Sequence, residues 1–399
     1  MLDRLSAATR TLLALIVGQL CLHSCMAGVR MASPLLALRE GQSEWAVGLL
    51  MGLFAAAPIV LALAAGRLAD RHGYHRPMRL AVALTVTGAL FAVASASVAH
   101  GQFALLCIAA IFTGAGANIG LIAIQRTAGR TATDATQLKR VFSWLGLAPA
   151  LSNVVGPVLA GTLIDHGGFR VAFVALLLLP LTGLWWARQV PVELPVQRPS
   201  RPAGSRSWDL LTAPGLRRLL LVNWLLSSSW DVHAFVVPIL GHERGFSASA
   251  IGLVLGVFAV AVALIRLVIP TIAHRLRESD VLVAAMVGAG LVFVVYPFVR
   301  TPWAMGVCAV LLGIALGAVQ PMIMTTLHQI TPHHRHGEAI ALRSMTINLS
   351  SALMPLMFGL GGAALGAGSL FWVMAVAVGA GSYPARRIGR APADAPATG

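Results

Sequence analysis

The sequence predicts an all-α membrane protein of twelve transmembrane helices in two pseudo-symmetric six-helix bundles. Three observations carry this. The 399 residues are 57% hydrophobic and only 11% charged, with mean hydropathy +0.81, whereas a soluble domain carries about 25% charged residues. Most Lys and Arg residues fall in alternate connecting loops. The first part of the chain is repeated, in register, in the second.

A membrane-crossing helix needs about 20 mostly apolar residues, and backbone groups in lipid must be satisfied within the segment. Twelve runs qualify: 12–38, 45–66, 78–99, 103–125, 141–164, 169–188, 216–240, 248–272, 281–299, 303–327, 338–364 and 367–385. Pro34, Pro58, Pro157, Pro238 and Pro355 within them are tolerable in lipid and predict kinks. With the N-terminus placed in the cytoplasm, 22 of the 29 Lys and Arg lie in cytoplasmic segments. Only Arg39, Arg170, Arg244 and Arg300 lie in exterior loops or at the exterior end of a span, and Arg30, Arg266 and Arg343 lie deeper within spans. This is the positive-inside asymmetry, and it puts both termini in the cytoplasm. Arg4 and Arg10 precede an apolar run with no small-residue cleavage site after it, so the first span reads as a retained helix.

The segment 189–214 carries Pro191, Pro195, Pro199 and Pro202 among Arg and Ser. It reads as a cytoplasmic linker too polar to pack, between an N-terminal bundle (1–188) and a C-terminal bundle (215–388). The tail 389–399 is Ala/Pro-rich and is expected to be disordered. A shift of 204 residues lays Pro34 over Pro238, Gly41 over Gly245 and the run 48–55 over 252–259. Fourteen of the 38 positions between 34 and 71 are identical without a gap. Parallel repeats around a shared midplane site describe one class of secondary transporter.

Other classes are excluded. The net charge of +15 is scattered through short loops rather than gathered on a domain that could hold nucleic acid. Cys21, Cys25, Cys107 and Cys308 fall in apolar runs and read as packing residues. His333, His334 and His336 flank Arg335 in a short loop with only Glu338 nearby; adjacent histidines rarely share one metal, so no metal site is expected. No phosphate-cradling loop and no nucleophile with a base at motif spacing is present, so the chain is not expected to be an enzyme.

Between the second and third spans lies Gly66-Arg67-Leu68-Ala69-Asp70-Arg71-His72-Gly73-Tyr74-His75-Arg76. It resembles the loop between helices 2 and 3 of the major facilitator superfamily, Gly-x-x-x-Asp-Arg-x-Gly followed by basic residues. Gly66, Asp70, Arg71, Gly73 and Arg76 carry that match, and His75 stands where a further basic residue is expected. The repeat counterpart, 270–275, has His274 in place of Asp70, so the acid exists on one side only. Asp70 is therefore expected to latch the cytoplasmic face, with Arg126 or Arg130 and the start of the eleventh span as partners, because a helix N-terminus favours a carboxylate. In the fifth span, Gly156, Pro157 and Gly161 resemble the Gly-x-x-x-Gly-Pro-x-x-Gly-Gly motif of proton-driven antiporters, with Ser152 and Ala160 replacing two glycines. In the fourth span Ala110 stands where such antiporters often carry Arg.

Polar residues inside spans are costly and usually face a cavity or a partner. Gln19, His23 and Arg30 share one face of the first span; Arg30 either binds an anionic group in a cavity or reaches outward to the surface. Asn223, Ser227 and Asp231 follow at intervals of four in the seventh, with His233 close by, and Asp231 is the only acid in the interior of any expected span, Glu338 being the first residue of the eleventh. A carboxylate near a movable arginine can take and release a proton, so Arg30 and Asp231 are a candidate coupling pair; a static ion pair is the alternative. His233 is a second titratable candidate. Arg266, Asn118, Gln125, Gln320, Ser344 and Asn348 are cavity residues or interhelical hydrogen-bonding groups.

The resemblance, over about 11–388, implies alternating access around a midplane cavity. It implies an inner-membrane secondary transporter that exports a small amphipathic or anionic compound against protons; the alternative is a proton-coupled importer of an organic anion. It implies no cofactor beyond the proton gradient. Its partners would be the small-molecule substrate and the lipid bilayer, with no nucleic acid and the protein a monomer.

Overall fold

The apolar runs become helices throughout the computed structural model, which describes residues 7–42, 44–98, 100–193, 207–246, 248–365 and 367–388. Part of the expected linker (194–206) and the expected disordered tail lie outside the described residues. Thirteen α-helices and no strand occur among the described residues. They are α1 (Ala7–Arg39), α2 (Glu44–His72), α3 (His75–Ser95), α4 (Gln102–Arg130), α5 (Ala135–Leu145), α6 (Leu147–Ala187), α7 (Pro214–Glu243), α8 (Ala248–Ile272), α9 (Glu278–Val295), α10 (Pro302–Gly317), α11 (Val319–Ile330), α12 (His336–Leu365) and α13 (Ala367–Ala385).

These helices account for the twelve expected runs. The fifth and sixth meet inside α6, where Gly168 turns the chain with φ 78° and ψ 176°, a conformation open to glycine at little cost. The tenth run is split at Ala318 into α10 and α11. Two helix starts carry side-chain caps: Asp134 Oδ1 accepts the Gln137 amide at 2.8 Å ahead of α5, and Thr301 Oγ1 accepts the Ala304 amide at 3.3 Å, with Pro302 in the first turn of α10.

The chain packs as two compact units. Unit 1 comprises Met1–Thr133, Trp144–Ser205 and His333–Ala352; unit 2 comprises Asp134–Ser143, Arg206–Pro332 and Leu353–Gly399. Beside the expected halves 1–188 and 215–388, each unit thus takes in the first turns of one helix from the other half. Those of α12 belong to unit 1 and those of α5 to unit 2.

In unit 1, small residues let backbones meet. A Cβ on Gly28 would sit 2.4 Å from Leu176, and one on Gly156 would sit 2.4 Å from the Ser24 carbonyl, so α1 and α6 touch through glycine. A Cβ on Gly161 would lie 3.2 Å from Met31. Around this seam Leu50, Phe54, Leu106, Phe173 and Leu176 form an apolar core. Unit 2 repeats one such contact. Gly114 of α4 abuts the carbonyl of Phe54 in unit 1, and Gly313 of α10 abuts the carbonyl of Phe258 in unit 2; Phe54 and Phe258 are equivalent under the 204-residue shift. The core of unit 2 is an aromatic run. Phe293 and Tyr296 both stack on Phe371, and His233 lies between Tyr296 and Phe258.

The four cysteines are free, and Cys107 alone is not buried. His333–Arg335 form a single 3-10 turn, and no cluster able to hold a metal occurs among the described residues.

Candidate functional site

The motif loop of unit 1 is built from three local requirements. Gly66 and Asp70 are one helical turn apart on α2 and share a face. That face meets the start of α12 so closely that a Cβ on Gly66 would lie 2.3 Å from the Gly337 carbonyl oxygen, and one on Gly337 would lie 2.4 Å from that of Gly66. Gly73, with φ +65°, ends α2 in the left-handed conformation that glycine adopts most readily.

Asp70 sits at the centre. Its Oδ1 accepts the Gly337 amide at 2.8 Å and Arg126 Nε at 3.1 Å, and its Oδ2 accepts the Glu338 amide at 3.0 Å. The first amides of a helix have no partner within it and form its positive end. Asp70, on another helix, caps α12. Arg126, 2% exposed, holds two acids at once: its Nη1 also donates to Glu193 Oε1 and Oε2 at 2.8 and 2.9 Å. Arg130 Nη1 donates to the same Glu193 at 3.1 Å. Of the two arginines expected beside Asp70, Arg126 therefore binds it and Arg130 binds Glu193. Glu338 in turn accepts from Arg335 at 2.8 and 3.0 Å.

The segment expected not to pack begins inside this network. Glu193 is its third carboxylate. His75 Nε2 lies 3.1 Å from the Val190 carbonyl, and a Cβ on Gly73 would lie 3.2 Å from Glu193 Cδ. At the far end, Ser207 and Leu210 are buried in a 3-10 helix. Charge pairing, which a reading by polarity and proline content misses, fixes the near end. Replacing Glu193 with Ala is expected to release it, so trypsin should cut after the exposed Arg188 about three- to tenfold faster, a shift of order 1 kcal/mol.

Arg71 and Arg76 are exposed at this end of α2 and α3. Tyr74 between them is buried, and burial pushes its phenol up from its ordinary value.

The remaining polar residues divide between the units. In unit 1, Ser344 Oγ donates to Asn118 Oδ1 at 2.6 Å, and Asn348 Nδ2 donates to the Ser344 carbonyl at 2.8 Å, so Asn118 and Asn348 are joined through α12. Gln19 is wholly buried, and neither amide atom has a hydrogen-bond partner among the described residues. His23 is half-buried, Gln125 buried and Arg30 exposed. In unit 2, Arg266 Nη2 donates to Gln320 Oε1 at 3.3 Å. Asn223 is buried; Ser227 and Asp231 are half-buried. His233 differs from its expected place facing a cavity. It is 1% exposed, its ring 4.5 Å from that of Phe258 and 5.8 Å from that of Tyr296, with neither nitrogen hydrogen-bonded among the described residues. Its spacing from Asp231 could not show that it turns into the aromatic core. Arg30 and Asp231 belong to different units.

A sequence profile of the Major Facilitator Superfamily matches residues 15–228 and 219–396. The chain is 29% identical to a gallate transporter of Pseudomonas putida over 169 residues, 41% of this chain and 36% of that one. It is 25% identical to the enterobactin exporter EntS of Citrobacter koseri over 293 residues, 72% of this chain and 69% of that one. A solved bacterial homologue of the iron transporter ferroportin, in an outward-facing state, superposes with TM-score 0.81 at 18% identity, covering 96% of this chain and 98% of that chain.

Proposed function

The chain belongs to the major facilitator superfamily, a multi-pass secondary transporter and not an enzyme, and we propose that it exports a small amphipathic or anionic compound in exchange for protons. Export is supported by the likeness to an exporter over most of both chains. Coupling is supported by Asp231, a half-buried carboxylate and the only acid in the interior of an expected span, which can carry a proton where a fixed cation cannot. The single observation that carries the mechanism is Asp70 capping α12 while sharing Arg126 with Glu193. This contact is a latch on the cytoplasmic side, closed when the cavity opens outward and broken when it opens inward. The protein acts in the inner membrane with both termini cytoplasmic, as a monomer, and needs no cofactor beyond the proton gradient. Arg30 and Arg266 attract the anionic part of the substrate, and Arg30 approaches Asp231 in one phase of the cycle.

A second reading, proton-coupled import of an organic anion, is favoured by the exposed Arg30 on α1 and by the partial likeness to a gallate transporter. Inside-out and right-side-out vesicles separate the two. Export predicts gradient-driven accumulation of an aromatic or amphipathic anion in inside-out vesicles only; import predicts it in right-side-out vesicles. Asp231→Asn is expected to leave less than about a tenth of the gradient-driven rate. Transport that survives this change and ignores the pH gradient overturns the coupling.

A further inference from the structure

The repeat counterpart of the motif loop has lost its acid: His274 stands where Asp70 stands in the first half, and it accepts from Arg275 Nε at 3.2 Å. Unit 2 nevertheless ties down a helix start at this place. Lys139, on α5, is 4% exposed. Its Nζ donates to the Leu276 carbonyl and, at 3.4 Å, to that of Ala273, and it pairs with Glu278 Oε1 at 3.1 Å. Arg140 Nε donates to the Pro270 carbonyl at 3.0 Å. Ser143 Oγ donates to the carbonyl of Arg266.

The acceptors run along the end of α8 and the 3-10 turn after it. The last carbonyls of a helix have no partner within it and form its negative end, and α8 ends at Ile272, running into the 3-10 turn Ala273–Arg275. Pro270 lacks the N–H that would bond the Arg266 carbonyl, which is orphaned as well. Three side chains from one stretch of α5 thus satisfy carbonyls at 266, 270, 273 and 276. Burying a lysine is costly unless it is paired, and here Nζ meets two carbonyls and a carboxylate. An apolar residue would serve if the contact were only packing. The 204-residue shift sets Lys139 over Arg343, a buried cation on α12.

We propose that Lys139 anchors a second latch of reversed polarity. In unit 1 an acid at the end of α2 caps the N-terminus of α12; in unit 2 a cation on α5 holds the carbonyls of the 3-10 turn that follows the C-terminus of α8. The proposal rests on reading the Asp70 contact as a latch. The chain leaves unit 2 at Ser143 and enters unit 1 at Trp144, and it leaves unit 1 again at Ala352 for Leu353 of unit 2. Each latch therefore holds the start of a helix that runs from one unit into the other. The second latch also bears on Arg266, whose carbonyl it holds and whose side chain holds Gln320.

Hydrogen exchange on the full-length protein in nanodiscs, without substrate, tests this. Peptides covering 134–145 and 336–343 are compared among wild type, Lys139→Met, Lys139→Arg and Asp70→Asn. Lys139→Met is expected to speed exchange in 134–145 about tenfold, to leave 336–343 unchanged, and to be rescued by Lys139→Arg; if the Met variant does not fold, Glu278→Gln is expected to speed the same peptide about threefold. Unchanged exchange in 134–145, or a loss of protection spread through α9 and α13 that arginine does not rescue, overturns the second latch. The Asp70→Asn arm reads 336–343 alone, so failure of the first latch shows separately.

Discussion

Asp70→Asn releases the start of α12 and slows transport at least about tenfold. The carboxylate takes three donors with two oxygens: the Gly337 and Glu338 amides and Arg126 Nε. Asparagine keeps one oxygen and turns an N–H against one of those donors. Hydrogen bonds to a charged group contribute about 1.5–3 kcal/mol each, and Arg126, 2% exposed, keeps Glu193 as its remaining acid. A net loss of about 2–4 kcal/mol shifts the latch equilibrium roughly 30- to 1,000-fold. A transporter must visit both states, so a population displaced this far turns over slowly. Exchange of the Gly337 and Glu338 amides is expected to rise at least about tenfold in this variant. Unchanged protection there removes Asp70 from the gate.

Gly337→Ala is expected to match that phenotype without altering any charge. The added Cβ would lie 2.4 Å from the Gly66 carbonyl oxygen and 3.0 Å from Asp70 Cγ. The first of these is backbone and cannot rotate away, so the two helices must move apart by about 1 Å at an overpacking cost of about 1–3 kcal/mol. The Asp70 hydrogen bond now at 2.8 Å would stretch beyond useful length. Gly66→Ala meets the same obstacle from the other side, 2.3 Å from the Gly337 oxygen. Both act on one contact, so Gly337→Ala combined with Asp70→Asn is expected to cost less than the sum of the two. Additive effects on amide exchange at 336–343 would show that steric fit and charge serve different contacts.

The Asp70 contact was legible in the sequence to the extent that local geometry demands particular residue types. Gly66 is needed for close approach, Asp70 as an acceptor one turn later and Gly73 for a left-handed helix end; Arg126 and the first amides of α12 then follow as partners. Gly337 gave no such signal, being one glycine within His-Gly-Glu. Glu193 was hidden by its setting, since a Pro-rich polar stretch reads as unpacked and a charge pair 67 residues away in sequence leaves no local pattern. Lys139 was placed in a loop because hydropathy falls over the polar first turns of α5; the helix begins at Ala135 and not at 141, since Asp134 caps it and one face packs. The polar residues inside spans were identifiable as such, but their faces were not: Asn118 and Asn348 meet Ser344, while His233 turns into aromatic rings.

Substrate-driven proton movement in inside-out vesicles tests proton-coupled export most directly. With an acid interior imposed and a pH-sensitive dye inside, a panel of aromatic and amphipathic anions is added from the outside. The account predicts that at least one compound collapses the gradient through the wild-type protein, at a rate cut at least about tenfold by Asp70→Asn or Asp231→Asn. A compound that the wild type carries at the same rate with and without the gradient, releasing no protons, would contradict it.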